Sequence, residues 1–262
     1  MGAETTAGTT TTRPAPVALV TGAARRLGRE MALALAADGF DVLVHFHTSR
    51  DEAAAVVAAV GDLGRRAQAV PADLRRSDEV QWLFETLDAT FGRLDLLVNS
   101  ASVFQETPFE TLDEDAWALH LDVNLTAAFR CARAAVPRLR TTQATAPDPC
   151  GRTGLIVNLV DASGLRPWRN FLAHSVSKAG LVALTAGLAR ELAPRLRVNA
   201  ICPGVVLWPA HSGPAERARA LARVPLGRAG TPADVVRALR YLVHADYVTG
   251  EVLRVDGGRL LA

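Results

Sequence analysis

The sequence is poor in two residue types that often carry acid and base chemistry. Lysine and arginine together number 29, yet only Lys178 is a lysine, and the two tyrosines, Tyr241 and Tyr247, both lie near the end of the chain. Arginine keeps its charge at every ordinary pH, whereas a lysine ammonium is compact and has a tunable pKa. The single lysine therefore predicts a chemical site at position 178; a chance survivor of an arginine-biased composition is the alternative.

Cysteine is also scarce. The three cysteines, Cys131, Cys150 and Cys202, form neither a CxxC pair nor a cluster with histidine. This spacing indicates no disulfide framework and no metal site, and it suits a reducing cytoplasm. No run of 18 apolar residues occurs, and the polar, Thr-rich start of the chain lacks the apolar segment of a signal peptide. We expect residues 1–14 to form a disordered tail, residues 15–262 to form a single domain, and no membrane partner.

The charges favour no macromolecular partner. The net charge is +2, charged residues make up 21% of the chain, and the two signs are mixed along it. A basic block interleaved with aromatic residues, which would indicate nucleic acid binding, is missing. With 49% hydrophobic residues the chain has the composition of a folded globular protein. We expect its partner to be a small molecule.

Short apolar runs alternate with stretches of helical periodicity through the whole chain. The long helical stretches are 51–63, 77–91 with Ser77 as its cap, 113–139 and 174–192, and 141–153 is expected to be a surface loop. Strands joined by helices of about a dozen residues form parallel sheets covered on both faces. The fold class is therefore α/β, a doubly wound Rossmann fold with a seven-stranded parallel sheet. The expected strands are 17–20, 41–46, 67–71, 94–99, 154–160, 197–201 and 251–255.

A glycine turn follows the first expected strand. Gly22 permits a tight turn, and Gly28 permits the next helix to approach the sheet closely. The free N–H groups at the start of that helix suit a phosphate. A lone glycine turn is weak evidence, but its place after the first strand predicts a dinucleotide-binding domain.

Several motifs together resemble the short-chain dehydrogenase/reductase family over nearly the whole chain. They are Thr21-Gly22 with Gly28, Asn99-Ser100-Ala101-Ser102, Asn124, His174 with Lys178, Arg197-Val198-Asn199, Pro203-Gly204 and Asp256-Gly257-Gly258. Within that family the chain is most similar to the pteridine reductases. These carry arginine where most relatives have glycine in the turn, here Arg26, and they share the segments 44–47, 99–104 and 160–162.

The end of the second strand favours NADPH over NADH. No carboxylate precedes Asp51 there, so no acidic group repels a 2′-phosphate, and Arg26, His45 and Ser49 offer it donors. A solvated polar loop that does not touch the cofactor is the alternative. The resemblance also implies NADPH, bound by Gly22, Arg25, Arg26, Leu27, Gly28, His45, Phe46, His47, Ser49, Asp73, Leu74, Asn99, Ser100, Ala101, Lys178, Pro203, Gly204 and Val205.

The resemblance implies a catalytic set of Asp161, His174, Lys178 and Asn124. His174 stands where most of the family has a proton-donating tyrosine, and Asp161 stands where most have a serine. Lys178 would bind the nicotinamide ribose, and Asn124, at a backbone irregularity within its helix, would hold a relay water. A carboxyl group can protonate a ring nitrogen as hydride reaches the adjacent carbon. The alternatives are a loop-capping carboxylate for Asp161 and, for His174, a partly buried histidine in a degenerate enzyme.

The expected substrate site comprises Ser102, Phe104, Asp161, Trp168, His174 and Trp208. By resemblance Phe104 stacks a flat substrate, while the two tryptophans lie in loops where oligomer contacts are equally common. The sequence thus predicts an NADPH-dependent reductase of a pterin-like C=N substrate. A carbonyl reductase and a non-catalytic NADP-binding regulator are the alternatives, and the resemblance implies a homotetramer.

Overall fold

The computed structural model describes residues 14–139, 154–208 and 213–262, so the predicted tail, except Pro14, and the predicted loop 141–153 lie outside the described residues. Within them seven parallel strands form one sheet in the order β3-β2-β1-β4-β5-β6-β7. The predicted doubly wound Rossmann fold is confirmed. The strands are β1 (Val17–Val20), β2 (Asp41–Phe46), β3 (Ala67–Pro71), β4 (Leu96–Asn99), β5 (Gly154–Leu159), β6 (Leu196–Pro203) and β7 (Val252–Val255).

Helices cover both faces of the sheet. Two of them, α7 and α8, were not predicted, although a proline opens each and α8 carries a capping box between Thr231 and Asp234. The helices are α1 (Arg26–Ala37), α2 (Arg50–Asp62), α3 (Ser77–Phe91), α4 (Glu114–Leu121), α5 (Ala127–Ala135), α6 (Leu172–Leu192), α7 (Pro214–Leu221) and α8 (Pro232–His244).

Two helix predictions need correction. Ser77 is the first residue of α3 rather than its cap, which is Arg76. The helix expected over 113–139 is divided, because a π turn, Asp122–Thr126, joins α4 to α5. Asn124 lies in that turn, where the wider hydrogen-bond spacing breaks the regular helix.

The core has one layer on each face of the sheet. On one face Met31 and Leu35 of α1 pack with residues of α2 and α8, and on the other Phe84 of α3 packs with α5 and the end of α6. All four residues of β1 are completely buried. A strand covered on both faces is apolar throughout, which explains the unbroken apolar runs of the sequence.

Helix α6 has the length and hydropathy of a membrane span, but by those properties alone. It packs on β6 and buries Ala173, His174, Lys178 and Leu181 in the protein interior. A core helix of a globular domain passes the same test, so α6 gives no reason to infer a membrane.

The chain order reverses between β1 and β4, which are neighbours in the sheet. The loops after these two strands therefore diverge to opposite faces and leave a crevice at the carboxyl edge. Ligands of doubly wound sheets bind at this position. The fold thus places a site beside Gly22, after β1, and Ser100, after β4.

Candidate active site

A cavity of about 780 Å³ lies at this edge of the sheet. It runs from the glycine turn and the end of β2 to the start of α6, so one continuous cleft links the two expected halves of the site. The predicted site residues that line it are Gly22, Arg25, Arg26, Leu27, Gly28, His45, Phe46, His47, Ser49, Asp73, Leu74, Ser100, Ala101, Ser102, Phe104, Asp161, His174, Lys178, Pro203 and Gly204.

Five predicted site residues do not line the cavity. Asn99 is buried beneath it and donates a hydrogen bond to Asn158 on the next strand. The Val205 carbonyl accepts a hydrogen bond from Gly230, and the Trp208 ring lies under the Arg217 guanidinium. Asn124 contacts His174, and Trp168 contacts Phe104; both contacted residues line the cavity. Direct contact of these five residues with a ligand stays a prediction.

The glycine turn brings three backbone segments into close contact. A Cβ on Gly28 would lie 2.2 Å from the Gly22 carbonyl oxygen, and one on Gly22 would lie 2.9 Å from the Ala101 Cα. Gly22 also has a φ of +64°, a conformation that favours glycine. Glycine at these two positions therefore holds the start of α1 open toward the cavity, and this cradle fits a dinucleotide phosphate.

Arg26 adopts an unusual backbone conformation in this turn. Its φ is +52°, which costs a residue with a side chain about 1 kcal/mol relative to glycine. Its guanidinium donates a hydrogen bond to the Leu207 carbonyl, 3.2 Å away across the cavity. The side chain therefore links the glycine turn to the loop after β6, and a strained arginine at this position indicates a function for its charge.

His45 does not have the predicted role of a phosphate donor. Its Nδ1 accepts a hydrogen bond from the Gly22 N–H at 3.0 Å, so its Nε2–H donates to the Ala72 carbonyl at 3.0 Å. Burial lowers the pKa of His45 to about 4, against the hydrogen bond to Ala72. The ring is therefore neutral at neutral pH and braces the glycine turn from below.

The end of the cavity near β2 carries several exposed donors. Arg25, Arg26, His47 and Ser49 line it, and Asp73 is the carboxylate there. The hydrogen bond from Arg75 lowers the pKa of Asp73 to about 2, with burial opposing it. Because Arg75 neutralises that carboxylate, the remaining charge at this end is positive and suits a phosphate dianion.

Lys178 lies on α6 at the opposite end of the cavity. Its ammonium donates a hydrogen bond to the Leu159 carbonyl at 2.8 Å, and only 4% of the residue is exposed. Burial lowers the pKa of Lys178, while the charge of Asp161 acts in the opposite sense. An ammonium has three donors, so two remain for a ligand in the cavity.

Asp161 and His174 form a close pair. Oδ2 of Asp161 lies 2.5 Å from Nε2 of His174, and Oδ1 accepts hydrogen bonds from the backbone and hydroxyl of Ser163. Burial raises the pKa of Asp161, but the hydrogen bond and charge of His174 outweigh it and bring that pKa to about 2. Oδ1 thus caps the loop after β5, which is the alternative role predicted for Asp161. Oδ2 binds His174.

Asn124 determines which nitrogen of His174 carries a proton. Its amide nitrogen lies 3.0 Å from the Ser177 hydroxyl, 3.1 Å from the Val103 carbonyl and 3.3 Å from Nδ1 of His174. Two amide hydrogens serve the two shorter contacts, so Nδ1 is left to donate to the Val103 carbonyl at 3.1 Å. A proton on Nδ1 places the exchangeable proton of the pair between Nε2 and Asp161.

The two members of the pair differ in exposure. The side chain of His174 is 1% exposed, whereas that of Asp161 is 21% exposed. A molecule in the cavity therefore meets the carboxylate before the imidazole. Asp161 is placed for direct contact, and His174 is placed to supply or hold the proton behind it.

An aromatic wall, defined as Phe104, Trp168 and Phe171, stands beside the pair. Phe104 stacks on Phe171 with ring centres 4.8 Å apart, and its ring lies perpendicular to His174 at 4.9 Å. Trp168 meets Phe104 edge-on at 6.3 Å. One face of Phe104 is thus covered by Phe171, so the wall is a packed unit rather than a single free ring.

The sequence reasoning missed four contributors to this site. Ser163 fixes Asp161, Arg75 neutralises Asp73, and the carbonyl groups of Val103 and Leu159 bind His174 and Lys178. Ser163 had a signal, since an aspartate followed two residues later by serine is typical of a side-chain turn. The carbonyl groups had none, because every residue has one.

The chain is similar to known reductases in sequence and in structure. A family model described as enoyl-(acyl carrier protein) reductase matches residues 22–259. A 3-oxoacyl-[acyl-carrier-protein] reductase from Synechocystis sp. is 36% identical, over 94% of this chain and 98% of the relative. A dehydrogenase/reductase from Sinorhizobium meliloti 1021 superposes with a TM-score of 0.85 at 31% identity, covering 93% of this chain and 94% of that one.

A second solved structure is similar in sequence and holds a cofactor. It is FolM alternative dihydrofolate reductase 1 from Brucella canis complexed with NADP, with a TM-score of 0.85 and 35% identity. The match covers 94% of each chain.

Proposed function

The chain belongs to the short-chain dehydrogenase/reductase family, and we propose that it is an NADPH-dependent reductase of a C=N bond in a pterin-like ring. Members of this family are oxidoreductases with a nicotinamide cofactor, and the predicted cofactor class is confirmed. The choice of substrate rests on the Asp161–His174 pair. The 2.5 Å contact between these two side chains is the observation that carries the proposal.

The donor set near β2 supports NADPH. Arg25, Arg26, His47 and Ser49 face the cavity there, and Asp73 is paired with Arg75. The FolM relative was solved with NADP. Bound NADPH supplies the hydride, and Lys178 has two donors left to hold the nicotinamide ribose and orient that end of the cofactor.

The proton comes from the Asp161–His174 pair. Before proton transfer the pair consists of a carboxylate, Asp161, and an imidazolium, His174, with protons on both ring nitrogens. Nε2 of His174 first transfers its proton to Oδ2 of Asp161, and Asp161, the more exposed member of the pair, then passes that proton to the substrate nitrogen. His174 is then neutral, with a proton on Nδ1, and takes up a solvent proton before the next turnover.

The charge of the pair favours an imine over a ketone. Hydride addition to a ketone develops negative charge on oxygen, and a carboxylate at that point repels it. Protonation of an imine nitrogen before hydride transfer instead gives an iminium cation, which a neighbouring carboxylate stabilises and which hydride then converts to a neutral amine. Because Asp161 has a pKa near 2 and faces the cavity, its charge opposes the first reaction and is compatible with the second.

A carbonyl reductase is the second candidate, and it has one specific observation in its favour. The Synechocystis relative at 36% identity is a 3-oxoacyl-[acyl-carrier-protein] reductase. In that case His174 would donate directly to the carbonyl oxygen. An NADP-binding regulator remains the non-catalytic alternative, and a cytoplasmic location and a homotetramer stay predictions.

Steady-state NADPH oxidation tests the proposal. We expect turnover of 7,8-dihydrobiopterin that is lost in Asp161→Asn, and poor turnover of acetoacetyl-N-acetylcysteamine. Ketone turnover without pterin turnover would favour the carbonyl reductase, and tight NADPH binding with no turnover of either would favour the regulator.

A further inference from the structure

A cation lies at the outer end of the aromatic wall. The guanidinium of Arg259 is 5.0 Å from the centre of the Trp168 ring, and Arg259 itself is half-buried. It follows β7 at the carboxyl edge of the sheet, the edge that carries the cavity. The wall therefore joins the Asp161–His174 pair at one end to a positive charge at the other.

Arg259 has no anionic partner among the residues that the structure describes. Many arginines of this chain are paired, as Arg138 is with Asp88 and Arg240 with Asp38. The nearby carboxylate of Asp256 accepts hydrogen bonds from the backbone of Gly258 and Leu260 instead. Asp256 thus fixes the turn that carries Arg259 and leaves its guanidinium without an ion pair.

Arg259 also interacts with other charged groups around it. Burial lowers the pKa of Arg259, and the charge of Arg223 lowers it further. The charges of Asp161 and Asp256 act in the opposite sense. The turn is pressed against the segment that bears Arg223, since a Cβ on Gly257 would lie 2.7 Å from a Val224 methyl. The segment that bears Arg223 therefore packs against the turn that bears Arg259.

We propose that Arg259 recognises an anionic oxygen group, a carboxylate or a phosphate, on the part of the substrate that extends away from the reacting bond. This inference rests on the proposed function for the reacting ring, and it adds the charge of the substrate. The stacking of Arg259 on Trp168 leaves the guanidinium edge, with its fork of N–H donors, free for such a group.

The distances between neighbouring groups of the wall set how far that anion lies from the reacting ring. From His174 the contacts run to Phe104 at 4.9 Å, from Phe104 to Trp168 at 6.3 Å and from Trp168 to Arg259 at 5.0 Å. The anion is thus separated from the reacting ring by the width of the wall. A substrate with a long acidic tail can reach Arg259, whereas a pterin with a short neutral side chain binds at the reacting end alone.

Equilibrium binding to the NADP-loaded protein tests the proposal without requiring turnover. Two ligand pairs separate the two sources of anion: folate against biopterin for carboxylates, and acetoacetyl-CoA against acetoacetyl-N-acetylcysteamine for phosphates. In Arg259→Gln we expect the dissociation constant of the anionic member of one pair to rise about tenfold, with the neutral member within about twofold. Arg259→Lys should recover part of the loss.

The control is Arg254→Gln, which removes an exposed arginine from β7. It should leave all dissociation constants unchanged. Equal weakening of both members of each pair, no effect of Arg259→Gln, or no binding of either anionic ligand would overturn the proposal. Charge discrimination that persists while pterins are not turned over would overturn the proposed function alone.

Discussion

Asp161 lies 2.5 Å from His174 through Oδ2 and Nε2, in a chain whose two tyrosines are both far from this position in the sequence. Asp161 is the exposed partner and His174 the buried one. We propose that the two side chains divide two tasks: the carboxylate contacts the substrate, and the imidazole holds the proton.

Asp161→Asn should lower kcat by about 10² to 10⁴, because the amide cannot pass a proton from His174 to the substrate. The dissociation constant of NADPH should change less than about twofold, since the proton path is not part of the phosphate site. Stopped-flow reduction and fluorescence titration measure the two quantities. Ser163→Ala is the matched control, because it removes one hydrogen bond to Oδ1 and leaves Oδ2 in place; an equal loss in both variants would argue against the relay.

His174→Phe should lower kcat by about 10² or more while retaining the fold, because the ring still fills its place beside Phe104. Asp161 would remain ionised without a source of protons. Turnover and circular dichroism of the same preparation check this expectation. Wild-type turnover in His174→Phe would show that Asp161 draws its proton from water.

Lys178→Arg should weaken both the fold and NADPH binding, although it keeps the positive charge. The residue is 4% exposed, and a Cβ on the adjacent Gly164 would already lie 2.8 Å from the Lys178 backbone. The larger guanidinium should destabilise the protein by about 2 kcal/mol and raise the NADPH dissociation constant about tenfold. Urea unfolding and cofactor titration measure these effects, and an arginine variant with native affinity would contradict a chemical reason for the single lysine.

Arg26→Gly should change stability and affinity in opposite directions. Glycine relieves the positive φ, so the free energy of unfolding should rise by about 1 kcal/mol. Loss of the guanidinium should weaken NADPH about tenfold and leave NADH nearly unchanged. Thermal unfolding without cofactor and two cofactor titrations provide the test, and equal weakening of both cofactors would exclude a 2′-phosphate contact.

Stability should depend on pH through His45. The unfolded chain binds a proton at His45 as the pH falls through about 6.5, whereas burial lowers the folded pKa to about 4. The neutral ring therefore makes its full contribution to the free energy of unfolding above pH 6.5. This contribution falls by about 3 kcal/mol between pH 6.5 and 4 and changes no further below that. Urea unfolding across this range measures the slope, and His45→Gln should flatten it; an unchanged slope in that variant would assign it to other groups.

Much of the fold followed from the sequence, because strands covered on both faces must be apolar and alternate with helices. The seven strands and the glycine turn were accessible in this way, and the family resemblance grouped Asp161, His174 and Lys178, which all line one cavity. The π turn at Asn124 was not accessible from the helical period, which does not show an extra residue in one turn, but the resemblance implied a backbone irregularity there.

Roles that depend on hydrogen-bond partners were harder to predict. His45 was expected to bind phosphate because of its place at the end of β2, but its direction toward Gly22 and Ala72 depends on the register of three strands. The proposed division of roles between Asp161 and His174 likewise depends on exposure, which the positions of the two residues in the sequence do not give.

The most direct measurement of the central claim is a single turnover, with the NADPH complex in excess over 7,8-dihydrobiopterin and the product separated by chromatography. We predict one equivalent of tetrahydrobiopterin for each NADPH oxidised by the wild type, and none above background by Asp161→Asn. Unchanged dihydrobiopterin in the wild-type reaction, together with reduction of acetoacetyl-N-acetylcysteamine under the same conditions, would contradict it.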